Sequence, residues 1–150
     1  MIYSFLKRFF DIIFSIIALI FLSPLFIVII FVLIFTGEGE IFYLQDRVGK
    51  FSRTFKIWKF VTMVKNSPNI GTGDVTLRND PRVLPFGRFL RITKINEIPQ
   101  LINILKGDMS FTGPRPLMKA GFDKYENEIK AKIYNVKPGL TGIGSIVFRD

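Results

Sequence analysis

Residues 12–35 read IIFSIIALIFLSPLFIVIIFVLIF, 24 residues without a charge, and the reading of this run decides the fold. A helix of about 20 apolar residues spans a bilayer. Ser23-Pro24 interrupts the run near its middle, and a proline there removes one backbone hydrogen bond and bends or breaks the helix. Each half then has roughly 11 residues and a length of about 17 Å at 1.5 Å per residue, enough to reach the bilayer midplane. Lys7 and Arg8 precede the run, with Asp11 at its edge, while Arg47, Lys50, Arg53, Lys56 and Lys59 follow it. The positive-inside rule therefore places both ends in the cytoplasm. We expect a re-entrant membrane helix broken at Ser23-Pro24, with a plain single-pass anchor as the competing topology. The run lacks a small-residue cleavage site, so a cleaved signal peptide is not expected.

From Gly37 the composition changes to that of a basic domain of soluble type. The expected organisation is a membrane helix over 1–36 and a domain over 37–150. The whole chain carries a net charge of +9 with a pI near 10.0, which calls for an anionic partner: nucleic acid, anionic lipid or phosphorylated substrate. It has no Cys and no His, which removes thiol nucleophiles, imidazole bases and the usual zinc ligands. A metal would have to sit on carboxylate and phosphate oxygens, which makes Mg²⁺ the candidate. There is no recognition-helix pattern and no dense aromatic-basic platform, so no nucleic-acid partner is expected.

Polar chemistry is concentrated in residues 91–116, RITKINEIPQLINILKGDMSFTGPRP. Ile98, Leu101, Ile102 and Leu105 recur at helical spacing, with Asn96 as N-cap candidate, Pro99 in the first turn and Gly107 as the stop. Glu97 would then lie at the positive end of a helix, where carboxylates and phosphates are stabilised. The bland reading is that Asn96 and Glu97 only cap a core helix. Thr112-Gly113-Pro114-Arg115-Pro116 brackets Arg115 with two prolines, so its guanidinium is presented with little backbone freedom, as bidentate phosphate binding requires.

The remaining stretches read as small elements. Residues 41–44 and 55–60 are strand-like around a polar turn at 49–53, and 65–74 is a mobile loop in the position of a lid. Residues 85–91 form an amphipathic helix, suited equally to a membrane surface and to a core. Residues 119–133 form a charged helix with Phe122, Tyr125, Ile129 and Ile133 as its stripe, and 136–142 a tight turn. The fold class expected is α/β, mainly α: the re-entrant helix, then a small domain on the cytoplasmic face with amphipathic surface helices.

Several blocks in order along the chain resemble the bacterial sugar transferase family, the monotopic phosphoglycosyl transferases. They include Lys7-Arg8 with Asp11, Leu22-Ser23-Pro24, Gln45-Asp46-Arg47-Val48-Gly49, Lys59-Phe60, Asp80-Pro81-Arg82, Gly87-Arg88-Phe89-Leu90-Arg91, Glu97-Ile98-Pro99-Gln100-Leu101, Gly107-Asp108-Met109-Ser110, Gly113-Pro114-Arg115-Pro116 and Lys137-Pro138-Gly139-Leu140-Thr141-Gly142. The resemblance implies transfer of a phosphosugar from a UDP-sugar to undecaprenyl phosphate, with Mg²⁺, at the cytoplasmic face of the bacterial inner membrane. It implies Asn96 and Glu97 as the reacting pair, with Glu97 on the metal. Arg115, Arg91, Arg82, Lys59 and Arg149 are expected to meet substrate phosphates and nucleotide, with Thr141 beside them. Anionic inner-leaflet lipids are further expected partners, and a homodimer is allowed for. This chain departs from the family pattern where the nucleophilic Asp becomes Asn96, where an arginine becomes Val61, and in Ile143-Gly144-Ser145. The alternative is an inactive relative that holds nucleotide sugar or lipid phosphate without turnover. The chain stops at Asp150, short of where the family normally ends, and a truncated C-terminus is expected.

Overall fold

A computed structural model of the chain describes residues 2–36, 38–71, 73, 76–77 and 79–142. The elements in chain order are α1 (Ile2–Thr36), β1 (Phe42–Val48), β2 (Thr54–Phe60), α2 (Pro85–Ile92), α3 (Gln100–Lys106), β3 (Ser110–Thr112), α4 (Lys119–Phe122), α5 (Asn127–Ile133) and β4 (Gly139–Thr141). Short 3-10 turns lie at Lys50–Ser52, Ser67–Asn69 and Ile95–Glu97.

α1 is a single helix of 35 residues that runs through Pro24, about 52 Å at 1.5 Å per residue. It is long and apolar enough to cross a membrane by length and composition. Pro24 therefore removes one rung of the ladder without ending the helix. Apolar side chains stand exposed along it, Ile20 at 69%, Phe21 at 82% and Phe31 at 63%, surface that lipid would cover.

The chain divides into two compact units, Met1–Phe21 with Leu44–Trp58 and Gln100–Asp150, and Leu22–Tyr43 with Lys59–Pro99. The units interleave along the sequence, and α1 contributes to both. Its boundary between them falls just before Ser23-Pro24.

In the unit made from residues 22–43 and 59–99, Ile29 and Leu33 of α1 join Phe60 and Leu90 as the core, with Phe26, Phe42 and Phe86 packed against it. Phe42 stacks on Phe60 with ring centroids 5.5 Å apart. The i, i+4 spacing of Ile29 and Leu33 puts both on one face, so this half of the helix buries a narrow stripe and leaves the rest exposed.

In the other unit, Ile57, Leu101, Ile104, Met109 and Tyr134 are buried. β3 and β4 pair in parallel, Ser110 opposite Gly139 and Thr112 opposite Thr141. Gly113 and Gly139 permit that approach, since a Cβ on either would strike backbone of the other segment. Arg8 of α1 donates to the carbonyls of Ile104 and Leu105, the second at 2.6 Å, capping the C-terminus of α3, where a helix leaves carbonyls unpaired. Asp11 is buried and its carboxylate accepts from Ser110 Oγ at 3.1 Å and Phe111 N at 3.2 Å.

Four expectations need adjustment. The stripe of residues 98–105 starts its α-helix only at Gln100, and Asn96 and Glu97 lie in the separate turn Ile95–Glu97, whose N-cap is Lys94 in the left-handed region, φ 59°. The buried face of α3 includes Asn103, fully enclosed, instead of Ile102 and Leu105. Asn103 Oδ1 accepts from Trp58 N at 2.9 Å and its amide donates to Lys56 O at 2.8 Å, so a polar residue is satisfied where periodicity asks for an apolar one. The helix expected over 119–133 is two, α4 and α5. The tight turn at 136–142 contains β4, whose partner β3 lies 29 residues earlier in its Ser110↔Gly139 register.

Candidate active site

The unit of residues 22–43 and 59–99 assembles Lys59, Arg91, Asn96 and Glu97. β2 ends at Phe60, and the segment beyond it is fastened to residues 82–84: Val64 N donates to Arg82 O at 2.9 Å and Leu84 N to Thr62 O at 3.0 Å. α2 then starts at Pro85, a residue suited to a first helical turn. Its Gly87 lies against the Thr62 backbone, where any Cβ would collide. That close approach brings Arg91, one turn further along α2, to Thr62: Nη1 donates to Thr62 Oγ1 at 3.3 Å and Nη2 to Thr76 Oγ1 at 2.9 Å. After α2 the chain reverses at Lys94 and presents Asn96 and Glu97. Lys59 Nζ stands 3.8 Å from Glu97 Oε1, both side chains half-buried.

Burial pushes the Arg91 guanidinium below its ordinary value, opposed by the charges of Asp80 and Glu97 and reinforced by Arg82. A partly desolvated cation of this kind gains by meeting an anion. Asn96 is buried and its Oδ1 has no hydrogen-bond partner among the described residues. An unpaired buried acceptor is costly in a native fold, and an oxygen ligand position or a donor on a substrate would satisfy it. Glu97 and Asn96 thus form an oxygen-donor pair next to two cations. Among the described residues no group of three or more His, Cys, Asp or Glu side chains is arranged to hold a metal. A metal there would depend on phosphate oxygens and water for its remaining ligands, as Mg²⁺ commonly does.

Arg82, expected to meet a substrate phosphate, is engaged here within its own segment of the fold. It is buried, its Nη2 donates to Asp80 Oδ2 at 2.6 Å and its Nε to Asp80 Oδ1 at 2.9 Å. Nη1 reaches the carbonyls of Ser67, Ile70 and Gly73 at 2.8, 2.7 and 2.7 Å. Those bonds organise the segment read from sequence as a mobile loop. Hydrogen bonds from Arg82 hold the Asp80 carboxylate well below its ordinary range.

Arg115 and Thr141 belong to the other unit. Pro114 O accepts from Gly139 N at 2.9 Å, Gly113 N donates to Thr141 O at 3.0 Å, and Thr141 Oγ1 donates to Phe111 O at 3.0 Å. The Pro-Arg-Pro segment is therefore tied to β4 as well as stiffened by its prolines. Arg47 Nη1 donates to Pro116 O at 3.2 Å, and its Nη2 to Gln45 Oε1 at 2.6 Å. Arg115 itself is exposed and has no hydrogen bond or ion pair among the described residues. Arg149 and the Ile143-Gly144-Ser145 departure lie outside the described residues.

Sequence reasoning did not single out Thr76, and it took Thr62, Asp80, Gln45 and Arg47 only as parts of motif blocks or of a basic flank, without the roles of Thr62 and Thr76 for Arg91, Asp80 for Arg82, and Gln45 and Arg47 for the Pro-Arg-Pro segment. The signal for Asp80 was present, an acid and an arginine two residues apart across a proline. Thr62, Thr76 and Gln45 carry no comparable signal, because their partners are distant in sequence.

Comparison with known proteins bears on what this arrangement does. The family model described as bacterial sugar transferase matches residues 2–150. The chain belongs to the bacterial sugar transferase family. The UDP-N-acetylgalactosamine-undecaprenyl-phosphate N-acetylgalactosaminephosphotransferase of Aeromonas hydrophila is 38% identical over 97% of this chain and 35% of its own length. The undecaprenyl-phosphate galactose phosphotransferase of Salmonella typhimurium is 38% identical over 97% of this chain and 33% of its own. The exopolysaccharide production protein ExoY of Sinorhizobium fredii is 36% identical over 96% of this chain and 70% of its own. The chain thus spans about a third of the length of the first two relatives and more than two thirds of the third.

Proposed function

We propose that this member of the family is a phosphoglycosyl transferase that moves a phosphosugar from a UDP-sugar to undecaprenyl phosphate, the first membrane step in building a bacterial glycoconjugate. The observation that carries the reading is the Glu97 carboxylate beside Lys59, with the Arg91 cation under its influence and the unpaired Asn96 oxygen one residue away. Names of the relatives support the substrate classes, a UDP-sugar as donor and undecaprenyl phosphate as acceptor.

Mg²⁺ fits the oxygen pair of Glu97 and Asn96 and would supply charge neutralisation on the donor diphosphate. Arg91 and Lys59 hold phosphate oxygens by charge-assisted hydrogen bonds, and the constrained, exposed Arg115 is a further cation suited to phosphate. In transfer, a new bond forms to the phosphorus that bears the sugar, from the Glu97 carboxylate or from an oxygen of the acceptor phosphate. The bond from that phosphorus to the bridging oxygen breaks, and UMP leaves with both electrons of that bond. Attack by the acceptor yields the polyprenyl diphosphate sugar directly, and attack by Glu97 yields it after a second, equivalent displacement. Arg82 holds its loop.

The reaction belongs at the cytoplasmic face of the inner membrane, with α1 continuous through Pro24 and re-entrant by a bend at Ser23-Pro24. Basic residues on both flanks of the apolar run support that placement.

A second reading is favoured by one residue. Asn96 stands where the family resemblance puts a nucleophilic Asp, and an amide cannot attack phosphorus as a carboxylate does. The chain as written would then hold its substrates without turnover. The experiment is UMP release from undecaprenyl phosphate, Mg²⁺ and a panel of UDP-sugars, by this chain and by Asn96→Asp side by side in nanodiscs. Release by the chain as written supports transfer without the Asp. Release by Asn96→Asp alone establishes the substrate-holding form, and release by neither with any UDP-sugar overturns the transferase assignment for this chain.

A further inference from the structure

A second cationic cluster uses none of the residues assigned to transfer. It lies within the unit of Met1–Phe21, Leu44–Trp58 and Gln100–Asp150. Gly107 closes α3 with φ 93°, and a Cβ built on it would stand 3.3 Å from Arg8 Nη2 and 3.4 Å from Lys137 Nζ. The two cations therefore face the same bare Cα, held at a positive φ that favours glycine. Lys7, the residue before Arg8, donates to Ser110 Oγ and to Thr112 O, the latter at 3.3 Å. Lys50 lies 4.6 Å over the Phe51 ring, and its charge adds to the repulsion on Lys137.

The cluster has more positive charge than its surroundings answer. Among the described residues Asp11 is the carboxylate acting on Lys137, and it already accepts from Ser110 and Phe111 and lies 3.9 Å from Lys7. Arg8 is occupied by the α3 carbonyls. Lys137 is half-buried and has no hydrogen bond or ion pair among the described residues. Burial first, then Arg8, Lys50 and Lys7, push its ammonium below the ordinary value, while Asp11 opposes them. A lysine kept in such company gains most from an anion with several acceptor oxygens.

We propose that Lys137, Arg8, Lys7 and Lys50 form a binding site for a phosphate group. The surroundings favour the headgroup of an anionic phospholipid over a soluble phosphate. Lys7 and Arg8 belong to the apolar helix α1, and their neighbours Phe5, Phe9 and Phe10 are exposed at 71%, 48% and 49%. Basic groups at the start of an apolar helix lie at headgroup depth and attract anionic lipid.

Native mass spectrometry of the full chain from detergent tests this, with phosphatidylglycerol, phosphatidylcholine or inorganic phosphate titrated in. One phosphatidylglycerol is expected to be retained in preference to phosphatidylcholine. Lys137→Gln weakens its retention about tenfold, the effect of losing one hydrogen bond to a charged group. Lys137→Arg retains it, and so does Lys132→Gln, which removes an equal charge from the exposed pair with Glu128 on α5. Lys50→Gln gives a smaller loss and serves should Lys137→Gln fail to fold. Retention of inorganic phosphate with the same dependence on Lys137, and no preference between the lipids, keeps the site and assigns it to soluble phosphate. Equal binding by Lys137→Gln and the parent chain, or equal loss in Lys137→Gln and Lys137→Arg, overturns the proposal.

Discussion

Arg82 follows Pro81 and Arg115 follows Pro114, yet the first guanidinium is buried on Asp80 and three loop carbonyls and the second is exposed. The difference sets two predictions for single residues. Arg115→Ala should lower phosphosugar transfer by about 10²–10³-fold, the usual effect of removing one positioned donor from a developing charge, while the protein still partitions with membranes. UMP release and sedimentation with vesicles read the two properties separately, and full turnover would show that Arg115 is dispensable for transfer. Asp80 behaves as a stability residue. Its carboxyl in the fold lies below the ordinary 3.8, so the stabilisation it contributes is fully present above that pH and is lost as the pH falls below it. Unfolding midpoints measured across the acid range should drop for the parent chain, and Asp80→Asn should start lower at neutral pH and show a shallower acid decline. A parallel decline in both chains would show that Asp80 is not the group responsible.

At the scale of elements, the approach of α2 to the chain after β2 sets the position of Arg91. Gly87 is the contact, and Gly87→Ala would drive a methyl into Thr62 carbonyl and Cα. Overpacking of that kind costs about 1–3 kcal/mol, and the shift should also weaken donor binding, because Arg91 and Thr62 are joined by a hydrogen bond. Denaturant unfolding and the KM for the UDP-sugar check the two parts, and an unchanged KM would separate α2 from substrate. Asn103 offers a comparable test on α3. Asn103→Leu matches the size expected of a core position but leaves Trp58 N and Lys56 O without their partner. A loss of about 1–3 kcal/mol follows from unpaired buried backbone groups. A neutral result by thermal unfolding would mean that water replaces the amide. Helical periodicity located both elements, α2 within a residue and α3 within two. It mistook the inward face of α3, because a buried amide bonded to a strand edge has no signature in spacing.

At the scale of the whole molecule, the open question is the course of α1 through the membrane. The chain has no cysteine, so a single introduced thiol reports its own side. Tyr3→Cys and Glu40→Cys are both expected to resist a membrane-impermeant maleimide applied from the periplasm and to react after lysis. Periplasmic labelling of Tyr3→Cys would establish a helix that crosses. Much of the organisation was legible in the linear chain: the uncharged run with Ser23-Pro24, its basic flanks, the strand-like stretches about Gly49–Arg53, and the blocks that carry the family resemblance. These signals are local, since charge, hydropathy and turn chemistry act through neighbours a few residues apart. The parallel pairing of β3 with β4, the split of residues 119–133 into two helices, the two interleaved units and the enclosure of Arg82 were not legible. Each depends on partners far away in sequence, chosen by which groups must be satisfied once water is excluded. By itself, then, the sequence determined an apolar helix, a basic α/β domain, membership of a transferase family and the residue types available for phosphate chemistry. The tertiary structure alone decided which arginine is a staple and which faces solvent, and which acceptor is left unpaired. A side chain's role follows from its neighbours in space, and the chain's order does not state them.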